Sequence, residues 1–226
     1  MRPIVVLGGT FDPPHRGHFA LLRAAARALA MNDDLRLLIA ADPWQKRGVQ
    51  PAGERLAMLR LALRDEDGAA APIAIDTREL ARSGPSYTVD SLRELRTEAG
   101  DAPLVFVLGW DQWLRLPSWH DWRRVTDYAH LCIAPRVQAF GAPDAELARF
   151  SEFRFASDHA LREQPAGLIY QLPHFEQPVS STQLRQELAA QRYAAAAPWL
   201  HPSVLRYIQE RGLYTPHASP MPTPTA

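Results

Sequence analysis

Pro3-Ile4-Val5-Val6-Leu7-Gly8-Gly9-Thr10-Phe11-Asp12-Pro13-Pro14-His15-Arg16-Gly17-His18 is the stretch on which the fold turns. Pro3–Leu7 is a continuous apolar run, and Gly8-Gly9 ends it. Such a run reads as a strand buried on both faces, as in a parallel sheet. Gly17–Ala30 then places Leu21, Leu22, Ala25, Ala26 and Leu29 on one face, the period of an amphipathic helix. A strand, a glycine turn and a helix in direct succession open an alternating α/β chain.

The alternation continues. Leu35–Ala40, Pro72–Ile75, Leu104–Leu108, His130–Ala134 and Leu168–Leu172 read as strands. Pro51–Leu63 reads as a helix with Leu56, Met58, Leu59 and Leu63 as its apolar set. Thr88–Glu98 reads as a helix capped by Ser86 or Thr88, and Pro143–Arg149 as a weaker one. Ser180 or Ser181 caps a helix running to about Ala190, and Ser203 caps a last one ending near Gly212. Ser151 to Gln164 has no clear period. The expected architecture is a Rossmann-like α/β domain, a parallel sheet with helices on both faces, over residues 1–215. Residues 216–226 (PHASPMPTPTA) have no apolar period and read as a disordered tail.

Composition narrows the function classes. The 226 residues hold 25 Lys+Arg and 25 Asp+Glu, a net charge of zero. That balance argues against a nucleic-acid partner, which needs a basic face. Small anionic substrates need only a local positive pocket. Lys46 is the one lysine among these basic residues, so its survival in an arginine-rich chain draws notice. Cys132 is the one cysteine, which excludes an intrachain disulfide and a four-cysteine zinc site and fits a reducing compartment. The chain passes straight from Met1-Arg2 into its first strand, and no apolar run approaches the ~20 residues that span a bilayer. The expected location is the cytoplasm.

In such sheets, ligands bind at the carboxyl ends of the strands. Gly8-Gly9 and Gly109 should therefore flank a site. The helix beginning near Gly17 offers amides and a dipole to phosphate. His15 and His18, three apart, can face the same side and donate to phosphate oxygens. The same pair would also serve as half of a zinc site, or be incidental to a strand–loop–helix turn. Val179-Ser180-Ser181-Thr182-Gln183-Leu184-Arg185 places three hydroxyls in the first turn of another helix and an arginine one turn in, a second anion cradle or a plain capped helix. Four of the six tryptophans lie in Trp110–Trp122, after a strand's carboxyl end. Asp65-Glu66-Asp67 reads as a solvated helix end.

Gly-Gly-Thr-Phe-Asp-x-x-His-x-Gly-His resembles the signature of the His-x-Gly-His nucleotidyltransferase superfamily. Val179–Arg185 resembles its second motif, Ile-Ser-Ser-Thr-x-Ile-Arg. Gly84-Pro85-Ser86-Tyr87-Thr88, Gly109-Trp110-Asp111, Pro117-Ser118-Trp119-His120-Asp121-Trp122 and the closing Gly212-Leu213-Tyr214 are similar to segments of the bacterial nicotinate-nucleotide adenylyltransferase family. The resemblance spans residues 1 to about 214. Two places depart from it. Pro43-Trp44-Gln45-Lys46-Arg47 stands where the family often has Pro-Pro-His-Arg, so Lys46 is taken as the basic contact, with a solvated loop charge as the alternative. Ala134-Pro135-Arg136-Val137 stands where the family has Arg-Pro-Gly, and Arg136 is taken as its phosphate contact.

The resemblance implies adenylyl transfer from ATP to nicotinate mononucleotide, giving nicotinate adenine dinucleotide and pyrophosphate. His18 and His15 would act on the ATP phosphates. Gly8, Gly9, Thr10, Phe11, Lys46, Gly109, Asp111, Arg136, Ser180, Ser181, Thr182 and Arg185 would bind the ATP side. Tyr87, Thr88, Trp119 and His120 would bind the mononucleotide, with Trp119 stacked on the cationic pyridinium. Trp110, Trp113 and Trp122 are left as structural. Mg²⁺ would arrive on the triphosphate with few or no protein ligands. Alternatives are another acceptor (nicotinamide mononucleotide or pantetheine phosphate), a nucleotide-binding module without turnover, and a zinc hydrolase.

Overall fold

In a computed structural model, residues 2–41, 49–66, 71–82, 84–135, 141–173, 175 and 179–215 are described. Lys46, Arg47, Arg136 and residues 216–226 lie outside them, so the readings placed on those positions concern residues not described here.

β1 (Ile4–Gly9) leads into α1 (Arg16–Ala28), then β2 (Leu35–Ile39), α2 (Ala52–Asp65) and β3 (Ile73–Asp76). α3 (Thr88–Ala99) precedes β4 (Leu104–Gly109), which runs directly into α4 (Trp110–Leu114). α5 (Val125–Tyr128), β5 (His130–Ala134), α6 (Ala145–Ser151), α7 (Asp158–Glu163) and β6 (Ile169–Gln171) follow. α8 (Ser181–Ala189), α9 (Tyr193–Ala196) and α10 (Pro202–Arg211) complete the chain. The sheet order is β3-β2-β1-β4-β5-β6, and every pairing is parallel. The chain reverses its direction of travel between β1 and β4, and that switch point opens a crevice at their carboxyl ends.

Strand alternation divides the core. Val5 and Leu7 of β1, Val105 and Val107 of β4 and Cys132 of β5 face one layer, with α1, α2, α8 and α10. Ile4, Val6, Leu104, Phe106, Leu108, Leu131 and Ile133 face the other, with α3, Trp113 and Trp122. Burial on both faces explains why these strands read as unbroken apolar runs. Burial also pushes the Cys132 thiol up to about 12, so it stays protonated and unreactive. Among the described residues, no helix is long and apolar enough to cross a membrane.

Several local expectations need correction. No side chain caps α3; Tyr87 stands at its cap position in extended backbone. Ser203 does not cap α10: His201 holds that position and Pro202 opens the helix. Ser203 instead donates through N–H and Oγ to Asp65 at 2.9 and 2.8 Å. Asp65 and Glu66 do stand at the end of α2, with Asp65 exposed, but their carboxylates are bonded as well as solvated. Glu66 Oε1 meets Nε2 of the fully buried His201 at 2.8 Å, and these contacts tie α10 to α2. The segment without a clear period contains α7, capped by Ser157, whose Oγ accepts from the Ala160 N–H. Gly212 ends α10 at φ 60°, the left-handed geometry expected of it.

Candidate active site

A cavity of about 340 Å³ opens at the carboxyl ends of β1 and β4. It brings together Gly8, Gly9, Thr10, Phe11, His15, His18, Tyr87, Thr88, Gly109, Asp111, Trp119, His120, Ser180, Ser181 and Arg185. These positions span most of the chain, and the switch point collects them. Thr182 does not line the cavity; its Oγ1 accepts from Arg185 Nη2 at 3.2 Å.

The β1–α1 loop builds the first wall. His15 is the cap residue of α1 and His18 its third residue, and their rings stack at 3.7 Å with 27° between planes. The His15 backbone N–H donates to His18 Nδ1 at 3.1 Å. A nitrogen accepting that bond carries no proton, so the neutral His18 ring bears its proton on Nε2. Phe11, held at φ 52°, meets the His18 ring edge-on at 5.0 Å. The first-turn amides of α1 are partly taken up: Arg16 N–H donates to Trp199 O and His18 N–H to His15 O, both at 2.9 Å.

The His15 side chain is almost wholly buried. Desolvation, aided by the nearby His201, lowers its pKa from 6.5 to about 3. The unfolded chain takes up this proton below about pH 6.5, whereas the folded chain resists it until about pH 3. His15 thus withdraws stability as the pH falls through that window, by up to about 1.4 kcal/mol per unit, and withdraws none above it. Denaturant titrations between pH 7 and 5 should show a shallower stability loss for His15→Asn than for the parent chain. Parallel slopes would remove His15 as a source of the acid sensitivity.

The glycines serve packing. A Cβ at Gly8 would lie 2.8 Å from the Phe106 ring, and one at Gly9 about 3.0 Å from Phe11. Phe106 in turn meets Trp119 edge-on at 6.1 Å. The bare backbone of β1 thus sets the height of the aromatic tier that carries Trp119. At the rim, Tyr87 stacks on His120 at 4.2 Å and joins the start of α3 to the tryptophan loop. Trp113 and Trp122 are core residues. Trp110, read as structural, also lines the cavity.

The second motif docks on the first. Ser180 Oγ caps α8 by accepting from Gln183 N–H at 3.2 Å. Ser181 Oγ donates to Pro13 O at 3.3 Å, and Arg185 Nη1 donates to Asp12 O at 2.7 Å. Two helix mouths, distant in sequence, thereby face one space.

Sequence reasoning missed four residues here. Arg55 is 1% exposed and donates to the carbonyls of Gln50, Thr10, Ala40 and Ala41 at 2.7–2.9 Å. It clamps the ends of β1 and β2 from below. Its signal was an arginine in register with Met58, Leu59 and Ala62 on the buried face of α2. Glu79 lines the cavity and accepts from Ser91 Oγ at 2.7 Å, and burial raises its pKa. Asp12 lies inside the quoted motif, is 2% exposed and accepts from the Tyr214 hydroxyl at 2.5 Å. Nothing local links those last two.

A family model described as cytidylyltransferase-like matches residues 6–187. A "probable nicotinate-nucleotide adenylyltransferase" of Herminiimonas arsenicoxydans is 38% identical, over 94% of this chain and 97% of that protein. One so named from Stenotrophomonas maltophilia is 40% identical, over 93% and 96%. The chain belongs to the nicotinate-nucleotide adenylyltransferase family. The nicotinic acid mononucleotide adenylyltransferase of Plasmodium falciparum, solved in complex with NaAD, shares the fold at a TM-score of 0.71 and 18% identity, covering 95% of this chain and 98% of that one. The two segments that resemble the family's motifs are joined here through Asp12 and Pro13.

Proposed function

We propose that this cavity transfers the adenylyl group of ATP to nicotinate mononucleotide, releasing pyrophosphate and forming nicotinate adenine dinucleotide. The observation that carries the reading is the meeting of the two anion-binding helix mouths at one cavity that also holds an aromatic tier. The first fits a triphosphate and the second a pyridine ring.

The attacking group is the mononucleotide's own phosphate. Its second pKa is about 6, so it is mostly dianionic at pH 7 and needs no general base. The protein's work is to hold the two phosphates in line and to stabilise charge as the α-phosphate is attacked and pyrophosphate departs. His18 Nε2–H donates to that developing charge, and the neutral His15 beneath fixes its ring. Arg185, Ser180 and Ser181 bind the triphosphate side, and Thr182, outside the cavity lining, supports Arg185 by accepting from its Nη2. Thr88, Tyr87, Trp119 and His120 bind the mononucleotide, and Asp111 lies beside the ribose-phosphate path. Lys46 and Arg136 remain proposed phosphate contacts.

The substrate is taken to be the magnesium complex of ATP. Its cation would be held by the phosphate oxygens, with few or no protein ligands. EDTA should abolish pyrophosphate release without changing Tm, and added Mg²⁺ should restore it. Stoichiometric zinc lost together with the fold would overturn this and favour a structural metal.

The test of the reaction is pyrophosphate release that requires both ATP and nicotinate mononucleotide. Release from ATP alone would contradict the proposal.

A further inference from the structure

We propose that Tyr214, in the segment after α10, is a positioning residue for the phosphate-binding loop, acting through Asp12. This inference rests on the adenylyltransferase reading and extends the site to the last described turn of the chain.

Arg55 Nη1 on Thr10 O holds the start of the loop that leads to His15 and His18, and three side chains from the last third of the chain hold its Asp12–Pro13 step. Arg185 Nη1 donates to Asp12 O at 2.7 Å, and Ser181 Oγ donates to Pro13 O at 3.3 Å. The third is the Tyr214 hydroxyl on Asp12 Oδ1 at 2.5 Å. The first two come from groups that the proposed reaction also uses on the triphosphate. On that reading Arg185 and Ser181 are shared between the loop and the ligand. Tyr214 has no place in the cavity lining and bonds the loop without facing the ligand.

The anchor is itself fixed. α10 is tied to α2 by Tyr207 on Glu54 at 2.8 Å, Arg211 on Glu54 at 2.7 Å and Ser203 on Asp65. Gly212 then turns the chain at φ 60°, and Tyr214, at φ 64°, directs its ring inward. Burial and the Asp12 carboxylate push the phenol's pKa up, so it stays a donor across the working range. Asp12 Oδ2 accepts from Gln50 N–H at 3.4 Å. Without the phenol, a carboxylate that is 2% exposed would depend mainly on that longer bond and would shift, carrying the loop with it.

Tyr214→Phe keeps the ring and removes the donor. A displaced reacting geometry should lower kcat by roughly tenfold to a hundredfold. The KM for nicotinate mononucleotide should stay within about twofold, because the aromatic tier does not touch this bond. Tyr207→Phe is the control. It removes a tyrosine–carboxylate bond of the same kind from α10, just before that segment, and should lower Tm comparably with kcat within about twofold of the parent. Parent-like kcat in folded Tyr214→Phe would overturn the proposal. So would kcat losses in both variants that merely track Tm. If Tyr214→Phe does not fold, Asp12→Asn, which weakens the same bond from the other side, should show the same drop in kcat at constant mononucleotide KM; an unchanged kcat would overturn the proposal equally. Turnover by the parent chain tests the reaction itself, independently of these variants.

Discussion

His18→Ala is expected to lower kcat by roughly 10²–10³ while leaving the fold intact, the usual loss for one transition-state donor. The ring is half-buried at the cavity wall, not part of either core layer, so its removal opens no interior void. Its Nδ1 accepts from the His15 N–H, which leaves Nε2 as the ring's donor. A donor already oriented costs no reorganisation when charge develops on the α-phosphate. The KM for ATP should change less than kcat, since the triphosphate keeps Arg185 and the mouth of α8. Steady-state kinetics beside circular dichroism checks both parts. Near-parent turnover by the folded variant would remove His18 from the mechanism.

Nicotinate mononucleotide should be preferred over nicotinamide mononucleotide by on the order of 10²–10³ in kcat/KM. The two differ only in carboxylate against carboxamide, and stacking on Trp119 reads the ring alone. Discrimination falls to donors at the start of α3. There the N–H groups of Asp90 and Ser91 turn back to Tyr87 O, and no side chain caps the helix. On the proposed reading, the substrate carboxylate at Thr88 would take the place of that missing cap and meet the favourable end of the dipole. A carboxamide presents one acceptor, and its NH₂ faces donors with nothing to accept. Each such mismatch costs about 1–3 kcal/mol. Side-by-side kinetics with the two mononucleotides decides the matter. Equal kcat/KM values would sink the nicotinate assignment and leave adenylyl transfer standing.

The legible parts of this chain were those written in local sequence. β1, β4 and β5 contribute to both core layers, so each appeared as an apolar run, and the glycines ending β1 and β4 marked the switch point. Both helix mouths were visible because each is contiguous in sequence with its hydroxyls or histidines. What escaped depends on distance or on competition. Thr88 and Ser203 have capping chemistry, but Tyr87 and His201 hold the cap positions and Ser203 is drawn to Asp65. That Gly8 is kept bare by the Phe106 ring of β4 was not legible, because the two stand on different strands. Arg55 was overlooked because a buried guanidinium is stable only when carbonyls converge on it, and those carbonyls come from three separate segments. Tyr214 and Asp12 stand 202 positions apart, and no periodicity connects them.

The account turns on what the purified chain makes. Incubation with ATP, Mg²⁺ and nicotinate mononucleotide, followed by chromatographic and mass identification of every nucleotide, tests it most directly. The expected result is nicotinate adenine dinucleotide and pyrophosphate in equal amounts, with no product when the mononucleotide is left out. ATP consumed without a dinucleotide, or a dinucleotide formed only with a different acceptor, would contradict it.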